Sequence, residues 1–360
     1  VKIIGKLILL PLLTINIAVS VLTILSCYVS QLAPFGKWPF ASLSGLAFPY
    51  LAGALLLFLI LWLIFWRKAA LVPAVTFIVC IGPILEFSPL HFRAHTPREE
   101  SRSFVMMTYN TMGFGIIENK DRSSSNPVAR VIAESGADII CLQEAITSDL
   151  NDFTGKKGLF KDYPYIMSGE GMTGQTIMSK YPIIKSSTEH FENSTGNCYQ
   201  HSLIKFGSDT ISVYNCHFQS NHMDPTNLED YNKILRNPSD TANIDGMKKI
   251  LKKLLESTGQ RAEQTRMIAD MVRSDKHTYK IVCGDFNDSP LSYSHRIFDR
   301  FMTDSWTKAG FGPGITYHSH NLYYRIDHIF CSRNMTPLSV RRDTSTKDSD
   351  HYPVICSLEL

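Results

Sequence analysis

The 360-residue sequence predicts a strand-rich α/β fold, two packed sheets with helices outside, carried behind three membrane-length helices. Three observations predict it. Residues 1–90 are apolar stretches with one acidic residue, Glu86; from about 104 onward, apolar runs of strand length recur; and those runs close repeatedly on Asn, Asp, Glu or His. Hairpin spacings mixed with helical patterns are what two packed sheets with outer helices require.

The apolar stretches are 7–29, 41–66 and 69–88, each long enough as a helix to cross ~30 Å of hydrocarbon. Lys2 and Lys6 precede the first, Lys37 stands alone in the first loop, and Arg67 and Lys68 occupy the second. Basic residues favour the cytoplasmic side, so the N-terminus is expected there and three crossings put the rest outside. Arg93, Arg98 and Arg102 oppose that orientation, although long domains translocate largely regardless of charge. The expected organisation is a transmembrane anchor over 1–90, a charged linker over 91–103 and an extracytoplasmic domain over 104–360, in an inner or plasma membrane.

A net charge of +3 shows no strongly basic nucleic-acid footprint. The eight cysteines include no CxxC pair, and Cys141, Cys216, Cys283, Cys331 and Cys356 sit in strand-like runs as small core residues.

The strands are expected at "FVMMTYN", "ADIICLQE", "QTIMSKYPII", "HSLIKFG", "TISVYNCHF", "YKIVCGDF", "YYRIDHIFCS", "LSVRRD" and "YPVICSLEL". A turn at Gly207 to Asp209 joins two of them as a hairpin. Between the first two runs, Asn126 can cap a helix that starts at Pro127, buries Val128, Val131 and Ile132, and stops at Gly136. The longest helix is expected over about 246–273, where "KKILKK" and "RAEQTR" form a solvated basic face opposite Leu251, Leu254 and Leu255. The polar stretch 219–245 has the composition of a substrate loop.

The residues that end the runs are Asn110, Glu144, His217, Asp285, Asn287, Asp327, Asp350 and His351. Each alone fits an ordinary turn. Strand ends that share one sheet edge converge on one pocket, and together this set suits hydrolysis of a phosphate ester. Glu144, Asp350 and the Asn110 amide are hard oxygen donors that favour Mg²⁺ or Mn²⁺. Asp285 suits a base that deprotonates water, with Asn287 positioning it. A His351–Asp327 pair fits a donor to phosphate, and His217 fits the same task from the opposite side.

The ordered set N, QE, H, GDFN, D and SDH resembles the endonuclease/exonuclease/phosphatase superfamily, the deoxyribonuclease-like fold, over about residues 103–360. The resemblance implies a four-layer α/β/β/α sandwich of two mixed sheets with its site at their top. It implies metal binding by Glu144 with Asn110 and Asp350, and phosphate binding and acid/base work by His217, Asp285, Asn287, Asp327 and His351. Where nuclease members place an acidic residue supporting the first histidine, Gln175 stands here.

The expected function is a membrane-anchored, divalent-metal-dependent phosphoesterase with no obligate protein partner. Two substrate classes stay open: nucleic acid, or a phospholipid or inositol phosphate. A non-catalytic membrane scaffold is the rival from another class, and it has no need of an acid, a base and a metal ligand together.

Overall fold

The computed structural model describes residues 2–32, 39–98, 101–115, 125–145, 150, 153–154, 158–169, 174–192, 194, 196–221, 231, 233, 236 and 244–360. Most of the expected substrate loop, 219–245, lies outside them.

The chain begins with helices α1 (Lys2–Leu32) and α2 (Pro39–Phe65). They run antiparallel. Cys27 packs with Phe48 at one end, and Leu9, Leu12 and Leu13 pack with Trp62 at the other. Asn16 Oδ1 accepts from Trp62 Nε1 at 3.0 Å between them.

Among the described residues two helices, not the three expected, are long and apolar enough to cross a bilayer: Ile8–Gln31 and Leu43–Phe65. The third apolar stretch is broken into α3 (Leu71–Val79) and α4 (Ile81–Phe87), with Cys80 between them at φ −92° and ψ 9°. Pro83 supplies the reason. It has no N–H for the Val79 carbonyl and its ring crowds that oxygen, which instead accepts from Tyr28 Oη at 2.6 Å. The α3–α4 segment still travels the length of the pair, from the cluster holding Ala69 and Ala70 to the cluster holding Cys80 and Ile84.

The rest builds two six-stranded sheets. The strands are β1 (Ser103–Asn110), β2 (Ile139–Gln143), β3 (Tyr165–Ser168), β4 (Thr176–Ser179), β5 (Ile183–His190), β6 (Cys198–Phe206), β7 (Asp209–His217), β8 (Tyr279–Asp285), β9 (Met302–Asp304), β10 (Asp327–Ser332), β11 (Thr336–Arg342) and β12 (Val354–Glu359). One sheet has the order β11-β12-β1-β2-β4-β3 and the other β5-β6-β7-β8-β10-β9. Each contains one parallel pair, β1 with β2 and β7 with β8, among antiparallel neighbours. The expected hairpin is β6–β7, with Phe206 facing Asp209 across Gly207 at φ +59°.

Alternation along the strands makes the layers. Met106, Cys141, Ile281 and Ile329 point between the sheets into one apolar core. Their neighbours point outward. Met107 and Ile140 meet α5 (Pro127–Glu134), and Val282 and Phe330 meet α6 (Ile244–Ser274) and α7 (Tyr293–Asp299). The result is the expected α/β/β/α sandwich. Asn126 caps α5 as its sequence requires, Oδ1 accepting from Ala129 N at 2.8 Å, a contact of the kind that stabilises by ~1 kcal/mol.

All eight cysteines are buried and unpaired, as core residues. The helix over 246–273 appears as α6, but its basic face is not wholly solvated. Arg261 is buried, its Nη1 3.6 Å from Asp288 Oδ2, while Nε donates to Gln219 O at 2.9 Å.

Candidate active site at the sandwich edge

Strand register brings three of the expected residues side by side. His217 at the end of β7 is level with Asp285 at the end of β8, and Asp285 is level with Asp327 at the start of β10. In the other sheet β1 ends at Asn110 opposite Gln143, one residue before Glu144. Gly284 makes the approach of β8 to β7 possible. A Cβ there would stand 1.9 Å from Cys216 O, and its φ is +130°.

Seven of the eight expected residues line one cavity of about 570 Å³: Asn110, Glu144, His217, Asp285, Asn287, Asp350 and His351. Asp327 stands behind His351, its Oδ2 2.8 Å from the ring Nδ1. None of the eight is directed elsewhere.

Asn110 fastens the two sheets together at this edge. Its Nδ2 donates to Glu144 Oε1 at 3.1 Å and to Asp285 Oδ2 at 3.0 Å, while its Oδ1 accepts from Met112 N. Deeper in the sandwich, Gln143 Nε2 donates to Asn215 Oδ1 at 2.6 Å, again from sheet to sheet. Glu144 turns into the cavity through a left-handed backbone, φ +51°, held by Gly113 N and Thr111 Oγ1 on its carbonyl. Asn287 shares that conformation, also at φ +51°. Left-handed backbone at residues other than glycine costs of order 1–3 kcal/mol, and three of the six such residues among those described, Glu144, Asn287 and His320, line the same cavity.

Asp285 accepts from Asn287 N at 2.8 Å, and its Oδ2 is 3.6 Å from His351 Nε2 and 3.7 Å from His217 Nε2. Burial pushes its carboxyl above the usual range; His351 opposes this and Asp327 adds to it. For His351, burial alone would favour the neutral ring, but the Asp327 and Asp285 carboxylates outweigh it and raise the pKa well above the ordinary value. Asp350 is also raised, by burial and, against the pull of His351, by the Glu144 and Asp285 carboxylates. Asn287 Nδ2 is committed to Phe218 O at 3.0 Å. His217 Nδ1 is buried without a hydrogen-bond partner among the described residues, and Gln175 Nε2 donates instead to Cys198 O at 2.6 Å.

Two side chains behind the lining brace the cavity. Ser349 Oγ donates to Asn110 O at 2.8 Å and accepts from His351 N at 3.1 Å, so it fixes the last loop against β1. The "SDH" string held that signal, since a serine two residues before the histidine can accept its N–H. Arg261 Nη2 donates to Asn221 Oδ1 at 2.6 Å and so positions a cavity-lining segment.

The lining carries three carboxylates, Glu144, Asp285 and Asp350, with no Lys or Arg among its described residues. Crowded oxygen donors with neither Lys nor Arg beside them fit a hard divalent ion.

Residues 107–351 match the model of the Endonuclease/Exonuclease/phosphatase family, and residues 6–87 match a model described as Domain of unknown function (DUF8431). No curated protein matches the chain. Among solved structures, truncated Caenorhabditis elegans TDP2 is similar at TM-score 0.52 and 17% identity, covering 72% of this chain and 98% of that one. Danio rerio TDP2 complexed with single strand DNA product aligns at TM-score 0.52 and 14% identity, over 71% and 98%. An endonuclease/exonuclease/phosphatase from Beutenbergia cavernae aligns at 0.50 and 16%, over 72% of each chain. At such identities the likeness shows the fold.

Proposed function

The chain belongs to the endonuclease/exonuclease/phosphatase family, and from that premise we propose that it is a membrane-anchored hydrolase of phosphate esters that uses Mg²⁺ or Mn²⁺. One observation carries the reading. Seven residues from five strand ends line one cavity, backed by the 2.8 Å His351–Asp327 contact.

Glu144 and Asp350 would hold the cation, with Asn110 orienting Glu144 through Nδ2 and offering only the second lone pair of Oδ1. When bound, the ion supplies Lewis acidity at a phosphoryl oxygen and offsets charge on the leaving oxygen. The protein's own groups do the rest. Asp285, raised and flanked by two imidazoles, takes the proton of an attacking water. Asn287 N, donating to Asp285 Oδ1, fixes which carboxylate oxygen faces that water. His351, kept protonated by Asp327, donates toward the phosphate from the far side, and His217 does so beside Glu144.

The anchor reading rests on exposure. Only 17% of each long apolar window is buried, whereas the helix of a soluble core would be mostly covered. Leu57, Ile64 and Leu71 are each about two-thirds exposed or more, an arrangement suited to hydrocarbon rather than water. The α1 start and the α2–α3 turn, with Lys2, Lys6, Arg67 and Lys68 in sequence, lie at the end remote from the sandwich. That end belongs in the cytoplasm, with the catalytic domain, residues 104–360, outside it.

The test is metal-dependent cleavage of bis(p-nitrophenyl) phosphate by the purified full chain, with and without chelator. Asp285→Asn and His351→Gln should each lower turnover by about 10²–10⁴-fold while the circular dichroism spectrum is kept. Undiminished turnover in either variant overturns the assignment. Alkaline phosphatase fused after Leu360 should be active, and an inactive fusion overturns the orientation.

A further inference from the structure

The wall of the active-site cavity is built partly by the second apolar helix. Leu46, on α2, lines the same cavity as Glu144 and His351, beside Ile250, Leu254 and Leu322. The helix is seated there firmly. A Cβ on Gly45 would lie 2.4 Å from Leu291 O, Ser30 Oγ of α1 donates to Leu291 O at 2.7 Å, and the Tyr324 and Tyr50 hydroxyls are 3.5 Å apart.

The face of α2 that carries Leu46 does not end at the cavity. Tyr50, Gly53, Leu57, Ile60 and Ile64 follow at alternating spacings of four and three, which is one stripe of an α-helix. All five are exposed, Leu57 at 70% and Ile64 at 69%, and nothing stands within 4 Å of a Cβ on Gly53. From Leu46 to Ile64 the stripe runs ~27 Å, close to the thickness of a bilayer's hydrocarbon. Tyr50 and Tyr323, exposed at its cavity end, suit the boundary between headgroups and hydrocarbon.

We propose that the substrate is a phospholipid of the bilayer in which the chain sits, its phosphodiester seated among the polar residues of the cavity and its hydrocarbon lying along the α2 stripe. This rests on the phosphoesterase reading above and names its substrate class. A water oxygen bonds to phosphorus as one ester P–O bond breaks. The water proton goes to Asp285 and the departing alkoxide takes a proton from His351, giving an alcohol and a phosphomonoester. The stripe serves the anchor whatever the substrate; what a soluble substrate has no use for is its continuity, through Leu46, with the wall of the cavity. A lipid loses little in leaving the bilayer laterally, because its chains stay on apolar surface throughout.

The test reconstitutes the full chain into vesicles of phosphatidylethanolamine and phosphatidylglycerol with Mg²⁺ and follows release of water-soluble product by mass spectrometry. Bis(p-nitrophenyl) phosphate and a single-stranded DNA oligonucleotide run beside it. We expect chelator-sensitive release from vesicles, and a fall of about tenfold or more in the ratio of vesicle to soluble-diester turnover in both Leu46→Asp and Leu322→Asp, a ratio from which the folded fraction cancels. Cleavage of the soluble diester with no release from vesicles, or a ratio unmoved in both variants, overturns the lipid assignment and leaves the phosphoesterase standing. Preferential cleavage of the oligonucleotide does the same and points to nucleic acid. No cleavage of any substrate overturns the phosphoesterase reading and this inference with it.

Discussion

Replacing His295 by Gln tests the polar latch between α4 and the sandwich. His295 is buried on α7, with Nε2 3.3 Å from Asp304 Oδ2 and Nδ1 3.5 Å from Glu86 Oε1 at the end of α4. Burial alone would lower its pKa, but the Asp304 and Glu86 carboxylates outweigh that and hold it at about 9 against an ordinary 6.5. The other groups facing it do not switch in that interval. Burial pushes His328 down to about 3, Arg325 is lowered by burial to about 10, and Asp304, despite burial, is held by His295 well below the usual carboxylate range. Asp299, on the same helix, is a carboxyl raised by burial. The folded pKa of His295 lies above the unfolded one, so its contribution is full below about 6.5 and disappears as the pH rises through about 9. At about 1.4 kcal/mol per pH unit, the interval is worth about 3 kcal/mol, or a midpoint shift of about 6–12 °C in a domain of this size. Thermal unfolding of the full chain in detergent micelles, wild type against His295→Gln, should show the wild type's lead shrinking by that much from pH 6.5 to about 9. A lead that stays constant over the interval refutes the argument.

Two other variants probe the site itself. Asp327→Asn removes the hydrogen-bonded carboxylate that keeps His351 protonated, so the high-pH limb of activity should move to lower pH; a pH–rate profile with that limb unmoved counts against His351 as the acid. Glu144→Gln should raise the Mg²⁺ concentration for half-maximal activity by about 10–100-fold, read from a metal titration, and an unchanged midpoint removes Glu144 from the metal site.

The gathering of the site was legible because a strand's end is legible. Continuous apolar runs of strand length locate the ends of β1, β2, β7 and β8, and a shared sheet edge then forces those ends together. Pairing partners were not legible. The run "QTIMSKYPII" reads as one strand but is β4 and β5, split around Lys180 to Pro182, and the two halves join opposite sheets. Pro182 cannot donate to a ladder, which marks the break without saying where the chain goes next. β3 and β9 were missed because four and three residues carry too little periodicity to register. Arg261 was misread for a related reason. Charge counting on a helix face cannot anticipate a carboxylate, Asp288, that folding brings to within 3.6 Å from another part of the chain.

The third apolar stretch shows the limit from the other side. Length and composition describe side chains, and by both measures residues 69–88 pass as a spanning helix. Whether a helix continues depends on its carbonyls, and Pro83 leaves one of them, Val79 O, for Tyr28 to satisfy. Beyond that break stands Glu86, the one acidic residue of the first ninety. A carboxylate is costly in hydrocarbon, and Glu86 falls near the end of its stretch. Its carboxylate lies 3.5 Å from His295 and its carbonyl accepts from Arg325 Nη2 at 2.7 Å. The charge that a spanning helix excludes is therefore spent on joining the apolar helices to the sandwich.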